Sequence, residues 1–151
     1  MRDNKNVMKK LILIGRSESG KTTLMQALKG EKIHYEKTQY VYNNDVWIDT
    51  PGEYLQSKHL GGALAVYSYE ADVVGLLISA TEPFSLINPN VVSMCTRDVI
   101  GIITKIDHPD ANIPLAERWL EIAGCKKIFY VDSTHSIGVK EILDYLKNSN
   151  N

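Results

Sequence analysis

The chain predicts a three-layer α/β domain built on a six-stranded, mainly parallel sheet with one antiparallel edge strand. Three observations carry that expectation. Apolar runs of strand length alternate with stretches whose apolar residues recur at helical spacing. A glycine-rich loop joins the first apolar run directly to the first helix. Polar clusters then follow further apolar runs, as functional loops follow the carboxyl ends of parallel strands.

Residues 1–8 are polar and read as a flexible N-terminus, 9–147 as a single domain, and 148–151 as a frayed C-terminus. Lys9-Lys10-Leu11-Ile12-Leu13-Ile14 supplies the first strand. In the stretch from Thr23 to Gly30, Leu24, Ala27 and Leu28 share a helical face, and Gly30 is the stop. The charged stretch Glu31 to Lys37, with His34 and Tyr35, has no periodicity and is expected to be a mobile loop. Thr38 to Tyr42 alternates like an edge strand, Asn43-Asn44 marks a turn, and Asp45-Val46-Trp47-Ile48 returns along it. Leu60, Ala63, Leu64 and Tyr67 fall on one helical face, weakened at its start by Gly61-Gly62.

Val73 to Ala80 is apolar on both faces, as a central parallel strand should be. A loop from Pro83 to Pro89 leads to a short helix near Asn90 to Thr96, and Val99 to Ile103 is a further buried strand. Pro114 opens a helix carrying Leu115, Trp119, Ile122 and Ala123, which Gly124 closes. Lys127 to Val131 is the last strand. Val139, Ile142, Leu143 and Leu146 form the core face of a C-terminal helix. Trp47 and Trp119 are expected in the core.

Composition narrows the function. At 151 residues the chain suits one domain that buries about two-thirds of its unfolded surface. A 44% hydrophobic and 23% charged content is that of an ordinary globular protein. A formal net charge of -1 supplies no basic footprint, so nucleic acid is not an expected partner. The apolar runs are too short to cross a bilayer, and the polar N-terminus lacks a secretory signature, which points to a cytoplasmic protein without a membrane partner. Cys95 and Cys125 stand in no metal or redox spacing and read as reduced, partly buried thiols.

Gly15-Arg16-Ser17-Glu18-Ser19-Gly20-Lys21-Thr22, followed by Thr23, fits the phosphate-binding pattern Gly-x-x-x-x-Gly-Lys-[Ser/Thr] of P-loop NTPases. The glycines let successive amide N–H groups turn toward phosphate oxygens. Lys21 would neutralise the β- and γ-phosphates, the Thr22 hydroxyl would bind Mg²⁺, and the following helix offers its positive end. The setting of strand, loop and helix is what this motif requires, so a purine nucleotide with Mg²⁺ is the expected ligand.

Three more stations follow apolar strands. Asp49-x-x-Gly52 places a carboxylate that can hold Mg²⁺ through water and an amide that can sense a γ-phosphate. Thr104-Lys105-x-Asp107 is a base-reading signature: one carboxylate accepts both N1–H and N2–H₂ of guanine, which adenine does not offer, while the Lys105 stem lies along the base. Asp132-Ser133-Thr134 would close a polar loop over the base, with Ser133 and Thr134 as contacts; a strand-ending turn explains it equally well. Thr38 is a candidate switch threonine that completes the Mg²⁺ shell; an ordinary strand threonine explains it as well. His34, His59, His108 and His135 fall on loops without ligand spacing.

With these stations in order, the chain resembles the Ras-like, translation-factor-class GTPases. Gly15 to Thr23, Lys37-Thr38-Gln39, Asp49-Thr50-Pro51-Gly52-Glu53-Tyr54 and Pro109-Asp110-Ala111 look more narrowly like the ethanolamine- and propanediol-utilisation P-loop family (EutP/PduV). That resemblance implies a bacterial microcompartment setting and a role as a GTPase-like protein, a shell-associated protein or an acetate kinase. The chain departs from the Ras-like pattern in two places. Glu53 stands where a water-orienting glutamine is usual, and a carboxylate beside a γ-phosphate repels it unless protonated or bridged by Mg²⁺. Ser17 and Glu18 occupy loop positions that are often glycine, narrowing the room for an arginine supplied by an activating partner.

Three functions follow for comparison. The first is a GTP-binding switch or slow GTPase using Lys21, Glu53 and Thr38 as its catalytic groups. The second is a phosphotransferase from ATP to acetate, for which Arg16 and Arg97 are available but not distinguished. The third is a docking module for microcompartment shell proteins, with Tyr40, Tyr42, Tyr67 and Tyr69 as surface candidates.

Overall fold

The computed structural model describes residues 9–15, 20, 23–30, 47–49, 71–83 and 90–147. Among them five strands form one sheet: β1 (Leu11–Ile14), β2 (Trp47–Asp49), β3 (Val73–Ser79), β4 (Asp98–Thr104) and β5 (Lys127–Tyr130). Their order is β2-β1-β3-β4-β5, and every neighbouring pair is parallel. The helices are α1 (23–30), α2 (Ile113–Ala123) and α3 (Val139–Lys147), with single 3-10 turns at Val91–Met94 and Ser133–His135.

Strand side chains alternate between two cores because the strand period is two. Ile12, Ile14, Val74 and Leu76 join Ala116, Leu120 and Ala123 of α2 on one face. Leu11, Leu13, Val73 and Leu77 join Leu24 and Leu28 of α1 and Val139, Ile142, Leu143 and Leu146 of α3 on the other. Burial on both faces explains why β1, β3 and β4 read as unbroken apolar runs. Two phenols tie the helices to the sheet: Tyr130 of β5 donates to Glu117 of α2, and Tyr145 of α3 donates to Asp98 at the start of β4.

Local signals set the helix ends. The Asn112 side chain accepts from the Leu115 amide at 3.2 Å, Pro114 stands in the first turn of α2, and the Gly124 amide donates to the Leu120 and Glu121 carbonyls. The next residue, Cys125, is buried, and burial pushes its thiol up to about 12.

Two expectations are corrected. The helix expected near Asn90 to Thr96 is only the 3-10 turn Val91–Met94: Asn90 is left-handed at φ 60, the Ser93 hydroxyl donates back to the Asn90 carbonyl at 2.9 Å, and Cys95 is already extended. Local side-chain bonding of this kind competes with helix propagation. On α2, Leu115 and Ile122 are 37% and 45% exposed, and the buried row is Ala116, Leu120 and Ala123, with Trp119 half-buried against it. The cause is a close approach to β4, where a Cβ on Gly101 would lie 2.8 Å from a Leu120 methyl. The edge strand at 38–42 and the helix around 60–67 lie outside the described residues; the other five strands are found.

The entry into α3 depends on Gly138. Its φ is +82, and a Cβ there would meet the Tyr130 carbonyl oxygen at 2.0 Å. Gly138→Ala is expected to cost about 1–3 kcal/mol from left-handed strain alone, with the clash adding to that. Urea unfolding measures it, and wild-type stability in the variant would contradict this account.

Candidate functional site

All five strands point the same way, so their carboxyl ends, and the loops that leave them, share one edge of the sheet. Strand order reverses at β1, which has β2 on one side and β3 on the other; ligands of open parallel sheets settle in the crevice at such a point. Gly15 follows β1 and is buried. Gly20, where the loop ends, has φ +94, and a Cβ on it would lie 3.4 Å from both Cβ and Oγ1 of Thr104. Gly20 therefore rests on the last residue of β4. The Gly20 carbonyl accepts from the Leu24 amide at 2.9 Å, which ties this point to α1.

The end of β3 is joined to the same wall. The Ala80 amide donates to the Thr104 carbonyl at 2.9 Å, the Thr81 amide donates to Ser79 Oγ at 3.1 Å, and the two hydroxyls of Ser79 and Thr81 are 2.7 Å apart. Beyond β4, Thr104 is buried and Lys105 takes a left-handed conformation, φ 60, which is costly for a residue with a side chain. That twist presents Asp107 as an exposed carboxylate, while the Ile106 amide donates to the Val131 carbonyl at 3.4 Å.

Asp132 leaves β5 buried, 3% exposed, and caps the turn Ser133–His135. His135 Nδ1 donates to Asp132 Oδ2 at 2.5 Å and stands 4.0 Å from Asp107 Oδ2. One ligand atom from each of Asp107, Asp132 and His135 lies within 4.8 Å of the others. Burial works to raise the Asp132 pKa, yet the hydrogen bond, backbone N–H and charge of His135 together hold it below its ordinary value. The same hydrogen bond, then the Asp132 charge and more weakly that of Asp107, raise His135. Ser133 Oγ is buried without a hydrogen-bond partner among the described residues.

Gly15, Gly20, Lys105 and Asp107 lie in loops at this edge, Thr104 ends β4, Ser133 and Thr134 are in the 3-10 turn after β5, and Thr23 is in the first described turn of α1. Asp49 is the last residue of β2, in register with Leu13 of β1, two positions before Gly15. Ser17, Glu18, Ser19, Lys21, Thr22, Thr38, Gly52 and Glu53 lie outside the described residues. Two residues were missed by sequence reasoning. Asp132 read as part of a weak polar turn and His135 as an isolated loop histidine; their separation by three positions was the signal, since a 3-10 turn brings i and i+3 together.

The arrangement fits an anion beside the Gly20 end of α1, where helix amides and the positive end of the helix converge. It also fits a hydrogen-bond-donating base edge at Asp107, whose exposed carboxylate has two acceptor oxygens.

The family model PduV-EutP, ethanolamine utilisation and propanediol utilisation, matches residues 8–148. The chain is 41% identical to the propanediol utilization protein PduV of Citrobacter freundii, covering 92% of this chain and 93% of that one. It is 32% identical to a protein called probable acetate kinase EutP of Escherichia coli K12, covering 92% and 89%. Among solved structures, the FeoB G-domain of Methanococcus jannaschii superposes with a TM-score of 0.57 at 20% identity, covering 89% of this chain and 92% of that one. That likeness establishes the P-loop GTPase-type α/β fold.

The Asp132–His135 pair makes stability pH-dependent in a defined window. The depressed Asp132 contributes above its unfolded pKa of about 4, and that contribution is lost as pH falls through its folded value. The raised His135 contributes below its unfolded pKa of about 6.5, and that contribution is lost as pH rises through its folded value. Asp132→Asn should therefore differ most from wild type between about pH 4 and 6.5, with the gap narrowing on either side. Thermal melts across pH test this, and a constant gap would refute it.

Proposed function

The chain belongs to the PduV-EutP family of ethanolamine and propanediol utilisation, and from that premise we propose that it is a Mg²⁺-dependent purine-nucleotide-binding protein that prefers GTP and hydrolyses it slowly. One observation carries the reading: Gly20, at the end of the phosphate-loop motif, packs on Thr104, three residues before the Asp107 carboxylate. The stations for phosphate and for base thus share one wall, at the edge where an open parallel sheet takes its ligand.

In this reading Gly15, Ser17, Glu18, Ser19, Gly20, Lys21, Thr22 and Thr23 surround the phosphates, and Gly52 senses the γ-phosphate. Thr22, Thr38 and Asp49 hold Mg²⁺, which would neutralise charge on the β- and γ-phosphates. Thr104, Lys105 and Asp107 read the base, with Ser133 and Thr134 closing over it. Lys21, Glu53 and Thr38 serve the hydrolytic step. Residues 9–147 act as one nucleotide-binding domain. The protein works in the cytoplasm at a microcompartment surface, with shell proteins and an activating protein as partners.

A second reading, phosphoryl transfer from ATP to acetate, is favoured by the E. coli relative that is called a probable acetate kinase. The same loop and Mg²⁺ would serve it, because phosphoryl transfer is mainly positioning and charge neutralisation.

Affinities for GTP and ATP, measured side by side on nucleotide-free protein with Mg²⁺, separate the two. A preference for GTP of about a hundredfold is expected, of the size two charge-assisted hydrogen bonds supply. Asp107→Ala should remove at least about tenfold of it while leaving ATP affinity unchanged. Equal affinities in the wild type would reject the guanine reading and make acetyl phosphate formation the decisive assay. With Glu53 in place of a water-orienting glutamine, turnover of the isolated protein should stay near the intrinsic rate of this class, roughly 10⁻⁴ s⁻¹. A rate above about 1 s⁻¹ would contradict slow hydrolysis.

A further inference from the structure

We propose that His135 is a specificity-determining positioning residue: its imidazolium, seated on the buried Asp132, holds the Asp107 carboxylate in place, so that guanine preference weakens when His135 loses its proton. The inference rests on Asp107 reading the base and adds a proton-dependent partner to it.

Geometry supports the role. Asp107 and Asp132 present carboxylate oxygens within 4.8 Å of each other, and Asp132 is buried. Two like charges at that separation repel each other, which favours rotation of the less confined one away. The less confined one is Asp107, at the exposed end. His135 Nδ1 stands 2.5 Å from Asp132 Oδ2 and 4.0 Å from Asp107 Oδ2, so a single positive charge serves both. Among the described residues, the charged groups acting on His135 are Asp132 from its own turn and Asp107 from the loop after β4.

A capping role alone does not call for this ring. The Asp132 side chain already accepts from the His135 amide, and the turn is closed by reciprocal Asp132–Ile137 backbone bonds at 3.0 Å. The imidazole adds a charge that faces the neighbouring loop and is exchanged with solvent near neutrality. A protonated, acceptor-free ring beside Asp107 leaves its second oxygen and the outer lone pairs of the first for a base edge. Two donors on guanine need both oxygens aimed at the base; rotation of Asp107 would break half the contact.

The test has two parts. In ligand-free protein, the NMR titration of the His135 ring should move to lower pH in Asp107→Asn, and an unmoved midpoint would overturn the coupling. GDP and ADP affinities are then measured from about pH 5.5 to 8.5 in wild type and His135→Gln, which keeps a donor for Asp132 but carries no charge. The wild-type GDP:ADP preference should fall about threefold as pH rises through the His135 midpoint, a size suited to an exposed ion pair. The variant should show the lower preference at every pH with ADP affinity retained. A variant with the wild-type preference and slope would overturn the proposal while leaving Asp107 as the base reader. Parallel loss of GDP and ADP affinity would make His135 merely structural and overturn it too. A wild type without guanine preference at any pH would remove the base reading itself and this inference with it.

Discussion

Neighbouring parallel strands cannot be joined by a tight turn, so each pair in this sheet requires a crossover that carries the chain back to the same end. That constraint shapes the rest of the molecule. Crossovers cover the sheet, so β1, β3 and β4 are buried on both faces and their sequences become nearly unbroken apolar runs. The polar residues that the strands cannot hold are displaced to the loops. Since all strands end on one side, Gly20, Thr104, Asp107, Asp132 and His135, drawn from positions far apart in the chain, converge there without any long-range charge pattern.

What was legible in the sequence follows from that physics. The runs in β1, β3 and β4 leave no face for water, so no alternative period competes with the strand reading. Pro114 and Gly124 act through their own backbones and mark the ends of α2 whatever surrounds them. The side of α2 that faces the sheet was less legible. Leu115 and Ile122 are large apolar groups, yet Ala116, Leu120 and Ala123 form the buried row, because Leu120 packs directly on the side-chain-free Gly101 and the helix is held close to the sheet there. That proximity is a property of the packed pair and is written in neither element alone. The Asp132–His135 contact was hidden for another reason: it depends on a single 3-10 turn, and a polar tripeptide gives little sign of which turn it will adopt.

The electrostatics of the site are local. With a formal net charge of -1 the chain has no global field that would draw in an anion. Along the edge, one imidazole lies between two carboxylates. Buried Asp132 stays ionised because the hydrogen bond, backbone N–H and charge of His135 outweigh the penalty of its burial. A family defined by ethanolamine and propanediol utilisation thus rests on a fold shared with a G-domain.

Cys125, tucked between the end of α2 and the start of β5, bears on how the protein meets electrophiles and oxidants. A thiol held at about 12 is almost wholly protonated at neutral pH, and the thiolate is the species that alkylates, forms mixed disulfides or climbs to sulfenic acid. Buried as well, it is shielded from reagents that would reach a surface thiol. The chain has two cysteines, so its more accessible thiol is the half-buried Cys95, and the junction before the last described strand carries the less reactive of the two.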